Sequence, residues 1–187
     1  TNTIAPSTGT TLTLGESGDT IALGSGISSI SGLSAGITVA DQWRLNTNFS
    51  SSTSKIDTGW ERNDNAFYGG IGTGMTESSG NFTFPSTGIY LVSFVSSFNA
   101  SATRSYAGLK LRGSSNGGSS YSDLIDIYDS ISNANEYGNV NGTYLLDVTD
   151  VSNIKVSLYA SASGSVTYEG HSSYNRTYMT FLRLGDT

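Results

Sequence analysis

The chain predicts an all-β fold of about ten strands, a sandwich or jelly roll, and three observations lead there. About ten short segments rich in Val, Ile, Leu, Phe, Tyr and Thr are separated by Gly-, Ser- and Asn-rich turns, roughly every 8–12 residues. No apolar pattern at helical spacing carries caps at both ends. Charged residues make up only 13%, against the roughly 25% usual in globular proteins. With Tyr 11 and Phe 7, the composition suits packed strands joined by polar, uncharged loops rather than disorder.

Residues 1–37 read differently from the rest. "LTLGESGDT" (12–20) and "IALGSGISS" (21–29) repeat an aliphatic residue, a small residue, Leu and Gly at an offset of nine. A Gly/Ser/Thr-rich unit this short forms small strands only beside neighbours, and otherwise reads as a flexible linker. From residue 38 the chain reads as a globular head. Its strands are expected in "VADQWRLN" (39–46), "GWER" (59–62), "AFYGGI" (66–71), 81–84, 88–98, 106–113, 121–131, 141–148, 153–160 and 177–184, with a short extra one within 165–170. Residues 47–57 read as a polar loop.

The 88–98 strand is apolar on both faces. Even positions give Tyr90, Val92, Phe94 and Phe98; odd positions give Ile89, Leu91 and Val95. A half-buried strand alternates apolar with polar, because successive side chains point to opposite sides. Something must therefore cover the second face. A loop of the same chain is one answer.

A resemblance supplies another. Phe82, five residues, Gly88, then Tyr90, Val92 and Phe94 at alternate positions resembles the signature of the complement-q globular head, a family that shares its jelly roll with tumour necrosis factor. "YLLDVTDVSNIKVSLY" (144–159) is similar to that family's strand–turn–strand, with Thr149 in place of the turn glycine. "YMTFLRLG" resembles its last strand, without the small residue usual between Phe181 and Leu182. The resemblance spans about residues 39–185 and implies a three-fold trimer. Phe82, Phe84, Tyr90, Val92, Phe94, Phe98 and Phe181 are then expected in the core and the trimer interface. A second resemblance is carried by "ADQWRLNTNF", "GWERND" and "GIGTGMTESSGNFTFPSTGIYLVSF", which are similar to segments of virion structural proteins of tailed phages, especially those of marine cyanobacteria. It implies a fibre, appendage or decoration protein on the outer surface of a virion. Residues 1–37 would serve as a fibre-like or virion-attachment segment.

Little points to catalysis. The lone histidine, His171, has no Gly-x-Ser-x-Gly elbow to accompany it. Asp123, Asp126 and Asp129 lie close in sequence, but Asp123 and Asp129 are ~20 Å apart along an extended strand, too far for a glycosidase pair. These acids read as a solvated negative edge, with calcium as the ion they suit if they hold one; Asp147 and Asp150 are a further oxygen pair. The resemblance adds that some complement-q heads hold calcium. Tyr121, Tyr137, Tyr168 and Tyr174 are expected in or near loops, where a flat apolar ring with a polar tip suits glycan stacking as well as ordinary packing. Arg104, Arg112 and Arg176 suit acidic sugars or sister chains equally. Tyr121, Tyr137, Tyr168, Tyr174 and Arg176 are the ligand-binding candidates.

A net charge of −6 argues against nucleic acid as a partner, and no apolar run suits membrane insertion. Cysteine is absent, so disulfides and thiolate metal sites are excluded. The chain starts without Met and reads as processed or as part of something longer. The expected function is a non-enzymatic homotrimeric head that binds host-surface glycans, with no cofactor unless calcium. The alternatives are a trimeric capsid decoration protein and a polysaccharide-degrading enzyme with its site between chains.

Overall fold

The structure, a computed structural model, describes residues 36–187. The expected repeat segment 1–37 lies outside them, apart from its last two residues. Twelve strands follow one another: β1 Ala40–Leu45, β2 Phe49–Ser51, β3 Trp60–Arg62, β4 Thr76–Ser78, β5 Asn81–Thr83, β6 Gly88–Asn99, β7 Arg104–Ser114, β8 Ser122–Ile131, β9 Tyr137–Val148, β10 Lys155–Ala162, β11 Val166–Tyr168 and β12 Tyr178–Gly185. Among the described residues there is no helix.

The strands form two antiparallel sheets. The first is centred on β6, which pairs along its whole length with β9. Its other edge pairs with β12 from Ile89 to Val95 and with β11 at Phe98 and Asn99. β1 and then β3 extend the sheet beyond β12, and β2 lies beyond β11. The second sheet has the order β4-β5-β10-β7-β8. The chain crosses between sheets after β3, β5, β6, β8, β9 and β10, which makes the sandwich a jelly roll.

The strand tally departs from the expected ten for local reasons. "AFYGGI" is a loop whose backbone pairs with β1 through an isolated bridge between Ile71 and Ala40. β2 and β4 are three-residue strands in polar sequence, held by β11 and β5. β9 begins at Tyr137, four residues before the expected start, in a stretch whose glycines look like turn signals. Those glycines make room for rings instead. A Cβ on Gly138 would stand 2.4 Å from Phe98 Cε2, and one on Gly142 2.7 Å from Phe94 Cε1.

The core lies between the sheets and follows the two-residue period. Along β6, Tyr90, Val92, Phe94 and Phe98 are buried, while the intervening side chains are only half-buried. Phe82, from β5, sits 5.7 Å from the Trp43 ring, 5.1 Å from Trp60 and 5.3 Å from Phe181. Phe84 packs edge-on to Tyr90 at 4.7 Å. All seven residues expected in the core or the trimer interface are therefore inside one chain, and none reaches a surface. The phase of β6 decides this, since Tyr90, Val92 and Phe94 share the face that meets the second sheet.

Because Phe82 is enclosed by three rings from β1, β3 and β12, Phe82→Ala should lower unfolding stability by about 3–5 kcal/mol in urea titration. A loss under about 1 kcal/mol would mean that the aromatic cluster does not hold the sheets together.

Candidate functional site

The outer face of the first sheet carries an organised surface. Cross-strand register places Ile71, Ala40, Leu182, Leu91 and Leu145 side by side at one level. This apolar row crosses five chain segments, roughly 19 Å at strand spacing. Ile71 is 47% exposed and Leu145 62%; the three between them are less exposed, although Ala40, Leu182 and Leu91 all face outward. The next level is polar: Gln42, Thr180, Ser93 and Thr143 stand abreast, and Gln42 Nε2 donates to Thr180 Oγ1 at 2.9 Å.

Two buried charges on β1 fix what borders this face. Asp41 shares the inward phase of Trp43 and Leu45. Its carboxylate accepts from Tyr68 Oη (2.7 Å), Met75 N (2.7 Å), Gln42 N (2.9 Å), Trp43 Nε1 (3.0 Å) and Arg62 Nε (3.1 Å). A buried carboxylate is tolerable only with this many donors. The bonds pin the 63–75 loop, so Ile71 is held in the apolar row. Gly74 has φ 72°, and a Cβ there would lie 2.6 Å from Asp41 Oδ2. The same loop carries Phe67, 97% exposed. Arg44, fully buried, donates to Glu61 (2.6 Å) and Asn63 (2.9 Å) and also binds Asp64 and the Ser172 carbonyl. It ties the 63–75 and 171–176 loops over the lower part of the sheet. Sequence reading missed both residues. For Asp41 the available signal was a charge in the inward phase of an apolar strand; Arg44 lies in the opposite phase and is buried by the loops it binds.

The expected ligand-binding residues do not converge. Tyr168 is not in a loop: it belongs to β11, is fully buried, and its hydroxyl donates to the Gly108 carbonyl at 2.7 Å. Burial pushes that hydroxyl's pKa well up. The register of β11 against β6 turns its ring onto Phe98, which removes it from any surface. Tyr137, exposed, stands opposite Asn99 at the far end of β6. Near that end Tyr174 stacks on His171 with ring centres 3.7 Å apart, and Arg176 bonds Glu169 (2.6 Å) and Tyr174 Oη (3.3 Å). His171 Nδ1 accepts from Ser173 N at 3.0 Å. Tyr121 lies at the opposite end, before β8, with its hydroxyl on Asn81 Oδ1 at 2.6 Å. Arg104 is spent on the Ser165 carbonyl, at 2.7 Å.

The three acids of β8 also separate. Asp126 and Asp129 are three residues apart on an unbroken strand and so face opposite ways. Asp129 turns toward β9, accepting from Asn139 N at 3.3 Å. An irregularity in register at Leu124 brings Asp123 back to the face of Asp126. There Lys110 Nζ lies 2.8 Å from Asp123 and 3.0 Å from Asp126, and Arg112 Nε lies 2.7 Å from Asp123. The Lys110 bond holds the Asp123 carboxyl below the usual carboxylate range. Asp150 caps its own turn, accepting from Ser152 N at 2.7 Å and Asn153 Nδ2 at 2.6 Å. Among the described residues no three acids or histidines gather as a metal ligand set.

Tyr68 is partly buried, and burial first, then the Asp41 bond, pushes its pKa up to about 12. Its proton is held more tightly folded than unfolded. The stability it contributes is therefore complete below pH ~10 and fades as pH rises toward 12. Tyr68→Phe should flatten that part of the alkaline stability curve in chemical denaturation. An unchanged slope between pH 10 and 12 would show that the Asp41 cluster does not constrain this hydroxyl.

No protein-family model matches the chain. No curated protein matches it either. Solved structures do. The chain is similar to Eiger, a tumour necrosis factor from S. frugiperda, at 13% identity and a TM-score of 0.63, covering 80% of this chain and 94% of that one. It is similar to murine APRIL in a crystal at pH 8.0 at 15% identity and a TM-score of 0.52, covering 78% and 98% respectively. At these identities the likeness is one of architecture: the chain folds as a jelly roll of the tumour-necrosis-factor type.

Proposed function

We propose that this chain is the head of a non-enzymatic, homotrimeric virion protein of a tailed phage, and that it attaches the particle to glycans on the host surface. The observation that carries the trimer is the apolar row from Ile71 to Leu145. It crosses the first sheet from the pinned loop to β9, with polar side chains on the next level. Rows like this on a chain surface mark contacts with another polypeptide. Its two most exposed residues stand at opposite ends, which suits a head-to-tail contact that closes into a ring. The edge of one copy meets the loop side of the next. Each large side chain covered contributes about 1.5–3 kcal/mol, and three copies triple the effect.

The complement-q and tumour-necrosis-factor resemblance supports three-fold closure, and the resemblance to phage virion proteins supports the placement. A binding role fits the aromatic and hydroxyl-rich surface, with avidity supplied by three sites on one rigid body. No catalytic role is assigned to His171, whose Nδ1 is occupied by a backbone amide and whose ring is stacked on Tyr174.

Sedimentation of the full chain at micromolar concentration should give three chain masses. The pair Leu91→Asp and Leu182→Asp should reduce it to one chain mass with unchanged β circular dichroism, because the core belongs to the single chain. A wild-type monomer, or a doubly substituted trimer, would overturn the assembly.

A further inference from the structure

The second sheet bears on its outer face a cavity of about 280 Å³, lined by Lys110, Arg112, Asp123, Tyr159, Ser161 and Thr53. Its wall is a chain of alternating charges. Arg112 meets Asp123 at 2.7 Å, Asp123 meets Lys110 at 2.8 Å, and Lys110 meets Asp126 at 3.0 Å. Tyr128 stands two residues beyond Asp126 on the same face of β8. The floor is the Tyr159 ring, over which the Arg112 guanidinium lies at 4.6 Å, with Tyr121 6.0 Å away. Cross-strand register builds this arrangement: Tyr159, Lys110 and Asp126 form one row, and Ser157, Arg112 and Asp123 the next. The irregularity at Leu124 is needed to bring both acids to the same side.

We infer that this cavity is a binding site for one ring of a neutral, hydroxyl-rich saccharide. The inference rests on the glycan-attachment reading and gives it a location. The two cations and two carboxylates cancel, so the cavity has no net attraction for an anion, and the chain as a whole carries −6. An acidic ligand would also have to take Lys110 from two carboxylates. Vicinal hydroxyls need what is present: fixed N–H donors and fixed carboxylate acceptors within hydrogen-bond range of one another, beside an aromatic ring. The volume admits one sugar ring, with room for part of a second. Half-exposed ion pairs of this kind contribute little to folding, so stability gives no strong reason for the ladder. The cavity lies on the sheet opposite the apolar row, so a trimer closed through that row leaves all three cavities open to solvent.

The test uses saturation-transfer NMR on the full chain, with methyl glycosides of glucose, galactose, mannose and N-acetylglucosamine as neutral probes and N-acetylneuraminic acid as the acidic one. A glycan array of neutral and acidic oligosaccharides runs in parallel. At least one neutral probe should bind, and more strongly than the acidic one. Asp123→Asn should weaken it roughly tenfold or more by removing a charged acceptor. Thr53→Trp, an exposed substitution at the mouth, should block it while leaving the fold intact by circular dichroism. Neutral binding unchanged in both variants would overturn the site and leave glycan attachment standing. Binding confined to acidic glycans would overturn the ligand class. Binding of no probe and no array glycan would overturn the attachment reading, and the site with it.

Discussion

The structure depends on the two-residue period of β6. Twelve residues of extended chain present one set of side chains to the second sheet and the other outward. The inward set, Tyr90 to Phe98, meets Phe82, Phe84 and Phe181 and closes the sandwich. The outward set brings Leu91 between Leu182 and Leu145. A slip of one residue would exchange the sets and expose the aromatic core, so the register is fixed by the cost of that exchange. Both the single-chain fold and the surface offered to a second chain therefore have one origin.

Charges buried at the border of the same sheet extend that surface. Asp41 and Arg44 are neighbours by three on β1, yet they hold different segments. Asp41 gathers the loop that positions Ile71, and Arg44 straps two loops over the sheet. Removing such ions from water is costly, and dense hydrogen bonding offsets the cost only when every partner is in place. The loops are thereby tied to one geometry. This is how a loop residue comes to stand level with residues of four strands.

The two outer faces are chemically distinct. The first offers a row of aliphatic side chains, suited to excluding water against a matching surface. The second offers a shallow cavity of balanced charge beside aromatic rings. Eiger and murine APRIL, with the same architecture, share only 13–15% of aligned residues with this chain. What the architecture requires is the phase of the core positions, which leaves outward positions free to differ.

Much of the fold was legible in the sequence. The alternation from Gly88 to Phe98, the spacing from Phe82 to Phe94 and the lack of capped helical patterns were enough for an all-β jelly roll and for a strand with two apolar faces. These are local properties, set by where successive side chains point. The sequence could not show that Tyr168 turns inward onto Gly108, that Gly138 and Gly142 clear space for Phe98 and Phe94, or that Asp41 draws donors from as far as Met75. Nor could it show that Asp123 and Asp126 meet Lys110 while Asp129 turns away. Each of these depends on pairing between segments distant in sequence, and the meeting of Asp123 with Asp126 also on one local break in register. The sequence by itself determined which positions of a strand are apolar. Only the tertiary structure decided which face became core and which remained open, because that choice is made by the partner strand and not by the strand itself.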